Sequence, residues 1–191
     1  MKTNTRKIVG IGVLTAIVFV LQLVSMAIRF GTFSITLSLV PIVIGAALYG
    51  KWAGAWLGGV FGVAVFATHD ADFFLAFSVV GTVVTVMAKG ILAGFIAGLV
   101  YDLLKGKNDT VATYLAGVLT PIVNTGVFFI GCYAFFLKDI QGLAEDGNAF
   151  KVIIFSFIGF NFFIELAINL VLSPTIAKII KIGRKETKTQ G

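Results

Sequence analysis

The sequence predicts an all-α integral membrane protein: a compact bundle of six transmembrane helices with both termini cytoplasmic. Three observations carry that reading. Of the 191 residues, 58% are hydrophobic, and the mean hydropathy is +1.02. Only 13% are charged, about half the ~25% usual in a soluble domain. Apolar segments recur between short polar breaks, and several approach the ~20 residues that a helical span needs. Six spans and their connections fill the chain, so residues 1–191 are expected to form a single membrane domain.

The spans follow in order. A short polar start with Lys2, Arg6 and Lys7 leads into an apolar run over 8–28. That run is longer than the apolar core of a secretory signal and lacks a small-residue cleavage pattern, so it is expected to remain as span one. After the segment 29–36, span two covers about 35–49, with Pro41 near its start, and span three about 52–68. Trp52 and Trp56 stand where amphipathic rings mark the membrane–water interface. The apolar stretch 73–104 would be about 48 Å long as one helix, more than a ~30 Å bilayer core. A break near Gly81, with 73–80 as an interfacial lead-in, leaves span four at about 79–104. Span five covers about 110–137 and span six about 150–172, with an outer loop over 138–149 between them. Ser173 and Pro174 are expected to end span six, and a basic cytoplasmic tail follows over 173–191.

Residues 37–62 organise this bundle. Two apolar arms meet at Gly50 and Lys51 with almost no loop, and small residues crowd both. Gly54, Gly58 and Gly62 form one ridge at four-residue spacing, and Gly90, Gly94 and Gly98 form another. In lipid, where burial does not drive association, such ridges let helix backbones approach and pack.

Orientation follows from the positive-inside rule. Eleven Lys and Arg residues, among them Lys51, Lys105 and those of the two termini, fall on one side; Arg29, Lys138 and Lys151 fall on the other. Topology therefore explains most of the net charge of +6 without nucleic acid. The lone cysteine, Cys132, excludes an intrachain disulfide and is expected to pack as a small apolar residue. No zinc pair, nucleophile elbow or phosphate loop occurs, so no catalytic residue, metal site or cofactor is expected. His69, the one histidine, lies beside Asp70 and Asp72 in the loop 68–72. It is read as solvated rather than as a metal ligand or proton relay.

Polar groups inside a bilayer are costly and face a partner or a cavity. Lys89 is ten residues into span four, about 15 Å deep. Asn161, Glu165 and Asn169 recur at i, i+4 and i+8 on one face of span six, and Asn124 lies near the middle of span five. Two readings of Lys89 and Glu165 stand side by side: a mutually neutralising structural pair, or groups lining a polar ligand cavity. Asn124 and Asn161 lean towards ligand contact, and Arg29 at the outer mouth either attracts an anion or anchors the span end. The Phe-rich spans five and six, with Phe128, Phe157 and Phe162 among their rings, either stack on a flat ligand or fill the bundle.

The stretches SLVPIVIGAALYGKWAGAWLGGVFG, KGILAGFIAGLVYDLL, TPIVNTGVFFIG and NFFIELAINLVLSP resemble the blocks of a bacterial branch of the substrate-binding S-components of energy-coupling factor (ECF) vitamin transporters. The likeness covers about 8–180. It implies a multi-pass protein of the bacterial cell membrane that captures a vitamin without an ATPase of its own. Its implied partners are a membrane coupling subunit and two cytoplasmic ATPases. The implied cavity lies on the outer side, beneath the loops 29–36 (with Thr36) and 68–72 and between spans four to six. Pantothenate is favoured, its carboxylate meeting Arg29 and Lys89 while its hydroxyls and amide meet asparagines; cobalamin and other vitamins stay open. Outside this family, an ATPase-independent secondary transporter or channel is the rival. The family's Ala-x-x-x-Ala motif of span one corresponds here to Gly12 and Ala16, which would face the coupling subunit.

Overall fold

The computed structural model describes residues 2–30, 33–34, 36–144 and 147–188. Nine helices in the described residues build the fold: α1 (Lys2–Ala27), α2 (Leu39–Tyr49), α3 (Lys51–Ala67), α4 (Asp72–Leu75), α5 (Val79–Leu104), α6 (Asp109–Phe135), α7 (Leu137–Leu143), α8 (Ala149–Lys151) and α9 (Gly159–Lys188), with a π-helical stretch, Val152–Ile158, between the last two. A short antiparallel ladder between β1 (Arg29–Phe30) and β2 (Phe33–Ser34) pairs Arg29 with Ser34. Ile35, where span two was expected to begin, lies outside the described residues, as do Met1 and 189–191.

Helix α5 is central, packed on α3 along one side and on α6 along the other. The α3 face is made by the two glycine ridges. A Cβ on Gly54 would run into the carbonyl of Gly94, and one on Gly58 into the carbonyl of Gly90. One step further, Gly62 lies against Met87. Each four-residue step along α3 thus meets a four-residue step back along α5, and the antiparallel backbones touch. Gly50 makes the turn that starts this pairing: with φ +93° it ends α2 and lets α3 begin at the next residue, a conformation that side-chain-bearing residues seldom take.

Local caps explain the helix starts. The Ser78 hydroxyl accepts the Gly81 N–H at 3.1 Å, so α5 begins at Val79, as expected. The Asn108 side chain accepts the N–H groups of Thr110 and Val111 at 2.9 and 3.2 Å and opens α6. Such caps satisfy N–H groups that have no partner within the helix. The break before α5 lies over 76–78 and at a short helix, α4, rather than at Gly81.

Two expectations for the C-terminal third are corrected. The connection 138–149 carries its own helix, α7, anchored by the fully buried Ile140. Span six is not one helix over 150–172: it passes through the π-helical stretch and then runs on through Pro174 to Lys188. Proline removes one backbone bond, but serine hydroxyls and packed neighbours re-satisfy the carbonyls freed inside a membrane helix. The carbonyl that Pro174 leaves without its helical donor is that of Leu170; the Ser173 hydroxyl donates to the neighbouring Asn169 carbonyl at 2.6 Å.

Among the described residues, four helical segments are long and apolar enough to cross a membrane: Thr5–Ala27, Val79–Leu104, Asp109–Phe135 and Asn161–Gly183. The chain is a multi-pass membrane protein. Helix α2 has 11 residues, about 16 Å of helix, or half a bilayer core. At one end of the bundle Lys51 packs on Gly98 and the α9 residue Gly183 on Leu48. Cys132 is fully buried, as its apolar reading predicted.

The glycine contact yields a test. Gly58→Val should destabilise the protein by about 1–3 kcal/mol or more, the usual cost of overpacking. Gly59→Ala is the control, since its Cβ would meet the Ile91 side chain at an ordinary 3.6 Å. Thermal unfolding in detergent compares the two variants with the parent.

Candidate functional site

At the end of the bundle away from Lys51, the walls part around a cavity that opens to solvent. Lys89, from the central helix α5, reaches into it. Its ammonium lies 5.6 Å from the Phe61 ring centroid on α3 and 5.2 Å from that of Phe128 on α6. Cations in this range of an aromatic face are attracted by the ring quadrupole, so two rings from different helices hold Lys89.

Glu165, buried on α9, accepts the Thr36 N–H at 3.1 Å. The carboxylate thereby ties the segment entering α2 to the last helix. Asp70 accepts the amide of Gln22 at 3.2 Å, and Gln22 is itself 1% exposed. Ser25, on the same helix α1, accepts the Leu37 N–H at 3.2 Å, and Ser38 donates to the Val18 carbonyl at 3.0 Å. The inward face of α1 therefore fixes both the loop 68–72 and the start of α2.

Asn124 on α6 and Asn161 on α9 complete the polar lining, and the side-chain oxygen of each is buried without a hydrogen-bond partner. Buried amides are almost always paired. Among the described residues, buried oxygens of Gln22, Thr85 and Asn169 are also unpaired, but of these five it is Asn124 and Asn161 that lie on the cavity, where a ligand can supply the partners. The π-helical stretch brings Phe157 and Ile158 to the same wall, and π-helical turns inside longer helices are frequent at functional sites.

Of the six residues singled out for ligand contact, Thr36, Lys89, Asn124, Asn161 and Glu165 all line this cavity. For the sixth, Arg29, only the backbone is described, in the β1–β2 ladder; its side chain lies outside the described residues. Lys89 and Glu165 share the cavity, but among the described residues ion pairs form at His69–Asp72 and Lys105–Asp102 and none joins these two. Asn169 lies deeper, donating to the Glu165 carbonyl at 2.9 Å, and is fully buried. It belongs to the α6–α9 packing, where Gly117 makes room for Ser173.

The sequence reading missed Asp70 as a lining residue, having set the chemistry of that loop on His69. The imidazole instead lies 78% exposed, 3.1 Å from Asp72. Phe61 and Thr125 were missed too. Thr125 follows Asn124 directly, and Phe61 lies one helical turn beyond Gly58 on the packed face of α3; both were legible signals. Of the spans-five-and-six rings, Phe128, Phe157 and Phe162 line the cavity, while Phe155, Phe163 and Tyr133 point outwards. Gly12 and Ala16 lie exposed on α1, and a Cβ on Gly12 would meet nothing within 4 Å.

A helical membrane bundle that opens at one end onto a polar, aromatic-walled cavity is a substrate-binding membrane protein in form. The family model described as "ECF transporter, substrate-specific component" matches residues 6–177, and the chain belongs to that family. It is accordingly a substrate-capture subunit of an ECF importer, a transport protein rather than an enzyme, whose partners are the coupling and ATPase subunits of an ECF module. No curated protein and no solved structure matched the chain.

Proposed function

We propose that the chain captures a water-soluble vitamin or related micronutrient in this cavity and presents it to an ECF module for ATP-driven import. The observation that carries the proposal is convergence. Three helices and one connecting segment bring Lys89, Asn124, Asn161, Glu165 and Thr36 to one cavity, at the end of the bundle opposite the basic residues. The pantothenate reading needs a cation for the carboxylate, which Lys89 supplies; Asp70 and Glu165 on the same walls weigh against an anion.

The proposed topology has six crossings, with both termini in the cytoplasm and the cavity facing outwards. The asymmetry of Lys and Arg along the sequence supports it: eleven fall in the segments read as cytoplasmic and three in those read as outer, as the positive-inside rule requires. The proposed surface for the coupling subunit is the outward face of α1 around Gly12 and Ala16. Only 17% of the α1 span is buried, against 39% for α5 and for α6. The open space at Gly12 speaks against a role in internal packing, and a small-residue groove is useful where a partner helix fills it.

Two outcomes are expected. Asn161→Ala should weaken binding of the molecule that copurifies with the parent protein by about 1–3 kcal/mol, the cost of a stranded buried partner. Calorimetry on the purified variant measures this, and unchanged affinity removes Asn161 from the site. Gly12→Trp should abolish both copurification of the ATPase pair and uptake, with ligand affinity retained. Normal uptake dismisses the docking face, and ATPase-independent uptake by reconstituted protein would instead establish the secondary-transporter reading.

A further inference from the structure

Resting on that capture reading, we propose that Phe74, which stands behind the cavity wall rather than on it, is a positioning residue for substrate capture. Through Phe128 and Phe157 it sets the aromatic wall and, through Phe128, the place of Lys89. Phe74 sits on α4, the short run Asp72–Leu75 between the loop 68–72 and α5, and is 3% exposed. Its backbone is held from both sides. The N–H donates to the Ala71 carbonyl at 3.0 Å, and the carbonyl accepts the N–H groups of Phe77 and Ser78, each at 3.1 Å. Ser78 also caps α5, the helix that carries Lys89. The anchor of the Phe74 ring and the start of α5 thus share one turn of backbone.

From this anchor the ring reaches three others. Phe128 on α6 lies 5.4 Å away at 88°, Phe157 on the π-helical stretch 5.3 Å away at 72°, and Phe136, just past α6, 5.1 Å away at 58°. Phe73, its neighbour on α4, meets Phe157 as well, at 5.6 Å and 65°. Aromatic pairs at these separations attract, and the steep angles are those the ring quadrupole favours. Phe128 and Phe157 line the cavity. One buried side chain thus joins α6 and the π-helical stretch, two separate segments of the chain, into a single wall.

The orientation of these rings matters because Lys89 depends on it. The Lys89 ammonium lies over the Phe128 ring, 5.2 Å from its centroid. The face of a ring is the negative part of its quadrupole and attracts a cation, whereas the edge is positive and repels one. A turn of the Phe128 ring about its own axis would therefore exchange attraction for repulsion without moving the backbone. A neighbour standing edge-on at 88° opposes that turn by shape and by charge pattern. An aliphatic residue in its place would fill most of the space but would have no face or edge to set the plane. The contacts from Phe74 to Phe128 and from Phe128 to Lys89 run unbroken from α4 to the cavity.

NMR of the full-length protein in detergent tests this, with isotope-labelled methyl groups placed on its lysines by formaldehyde and a reducing agent. The label keeps each ammonium charged, and the Lys89 signal is assigned by its loss in Lys89→Arg. In the parent, ring currents from Phe61 and Phe128 should displace that signal upfield. Lys51, 5.6 Å from the Phe95 ring centroid at the other end of the bundle, is the control. Phe74→Leu should lose most of the Lys89 displacement and leave Lys51 unmoved, and Phe74→Tyr, which keeps the ring, should restore it. Phe74→Met serves if the leucine variant folds poorly. The amount of small molecule that copurifies, counted per folded chain by mass spectrometry, should fall several-fold in Phe74→Leu and recover in Phe74→Tyr. A Lys89 signal that is unshifted in the parent, or the same in parent and variants, overturns the proposal. So do movement of both lysine signals, unchanged retention of the small molecule, and leucine and methionine variants that only melt earlier or fail to fold, for each makes Phe74 a packing residue. A parent that carries no small molecule contradicts the capture reading alone, since the Lys89 signal is read without one.

Discussion

The backbone contact between α3 and α5 is the constraint on which the rest depends. Because Gly54 and Gly58 lie directly against the carbonyls of Gly94 and Gly90, the two helices approach more closely than side-chain-bearing surfaces allow. That approach sets the position of both cavity residues attached to it. Phe61 and Lys89 each lie one residue or one turn from a ridge glycine, on α3 and α5 respectively, and the ammonium meets the Phe61 ring across the interface. On its other side α5 is fitted to α6 by a similar device: a Cβ on Gly131 would strike Thr85. Lys89 is therefore held between Phe61 and Phe128 because the helices carrying those rings are clamped to its own.

A second framework closes the cavity from the side of α1. Hydrogen bonds from Val18, Gln22 and Ser25 reach the start of α2 and the loop residue Asp70, and Glu165 binds the same entry segment from α9. The outward face of α1 carries apolar and small residues instead. One helix thus joins a buried polar face that touches the cavity walls to an exposed apolar face. Any shift of α1 would be felt at Asp70, Leu37 and Ser38 through bonds already present.

Much of the fold was legible because its causes are local. The limits of α5 follow from the Ser78 cap and the turn after Leu104, and the α2–α3 joint from Gly50. The ridges could be read because their spacing is itself the packing code. Lys89, Asn124, Asn161 and Glu165 stood out because polar groups are scarce in apolar helices. What escaped was non-local. Continuation past Pro174 goes with the packing of α9 against α6 and α2, and a proline alone argues the other way. Asp70 looked like a loop acid beside a histidine, since its role arises only when Gln22, far away in the chain, folds against it. The π-helical stretch 152–158 has no sequence signature that separates it from an ordinary apolar helix.

The central claim is that these walls enclose a transport substrate. Mass spectrometry of the small molecules released on denaturing the purified protein tests it most directly. The account expects one water-soluble micronutrient at close to one equivalent per chain, lost when Lys89 is replaced by glutamate. Release of no such molecule from protein that still assembles with its ATPase partners, or release undiminished in Lys89→Glu, would contradict it.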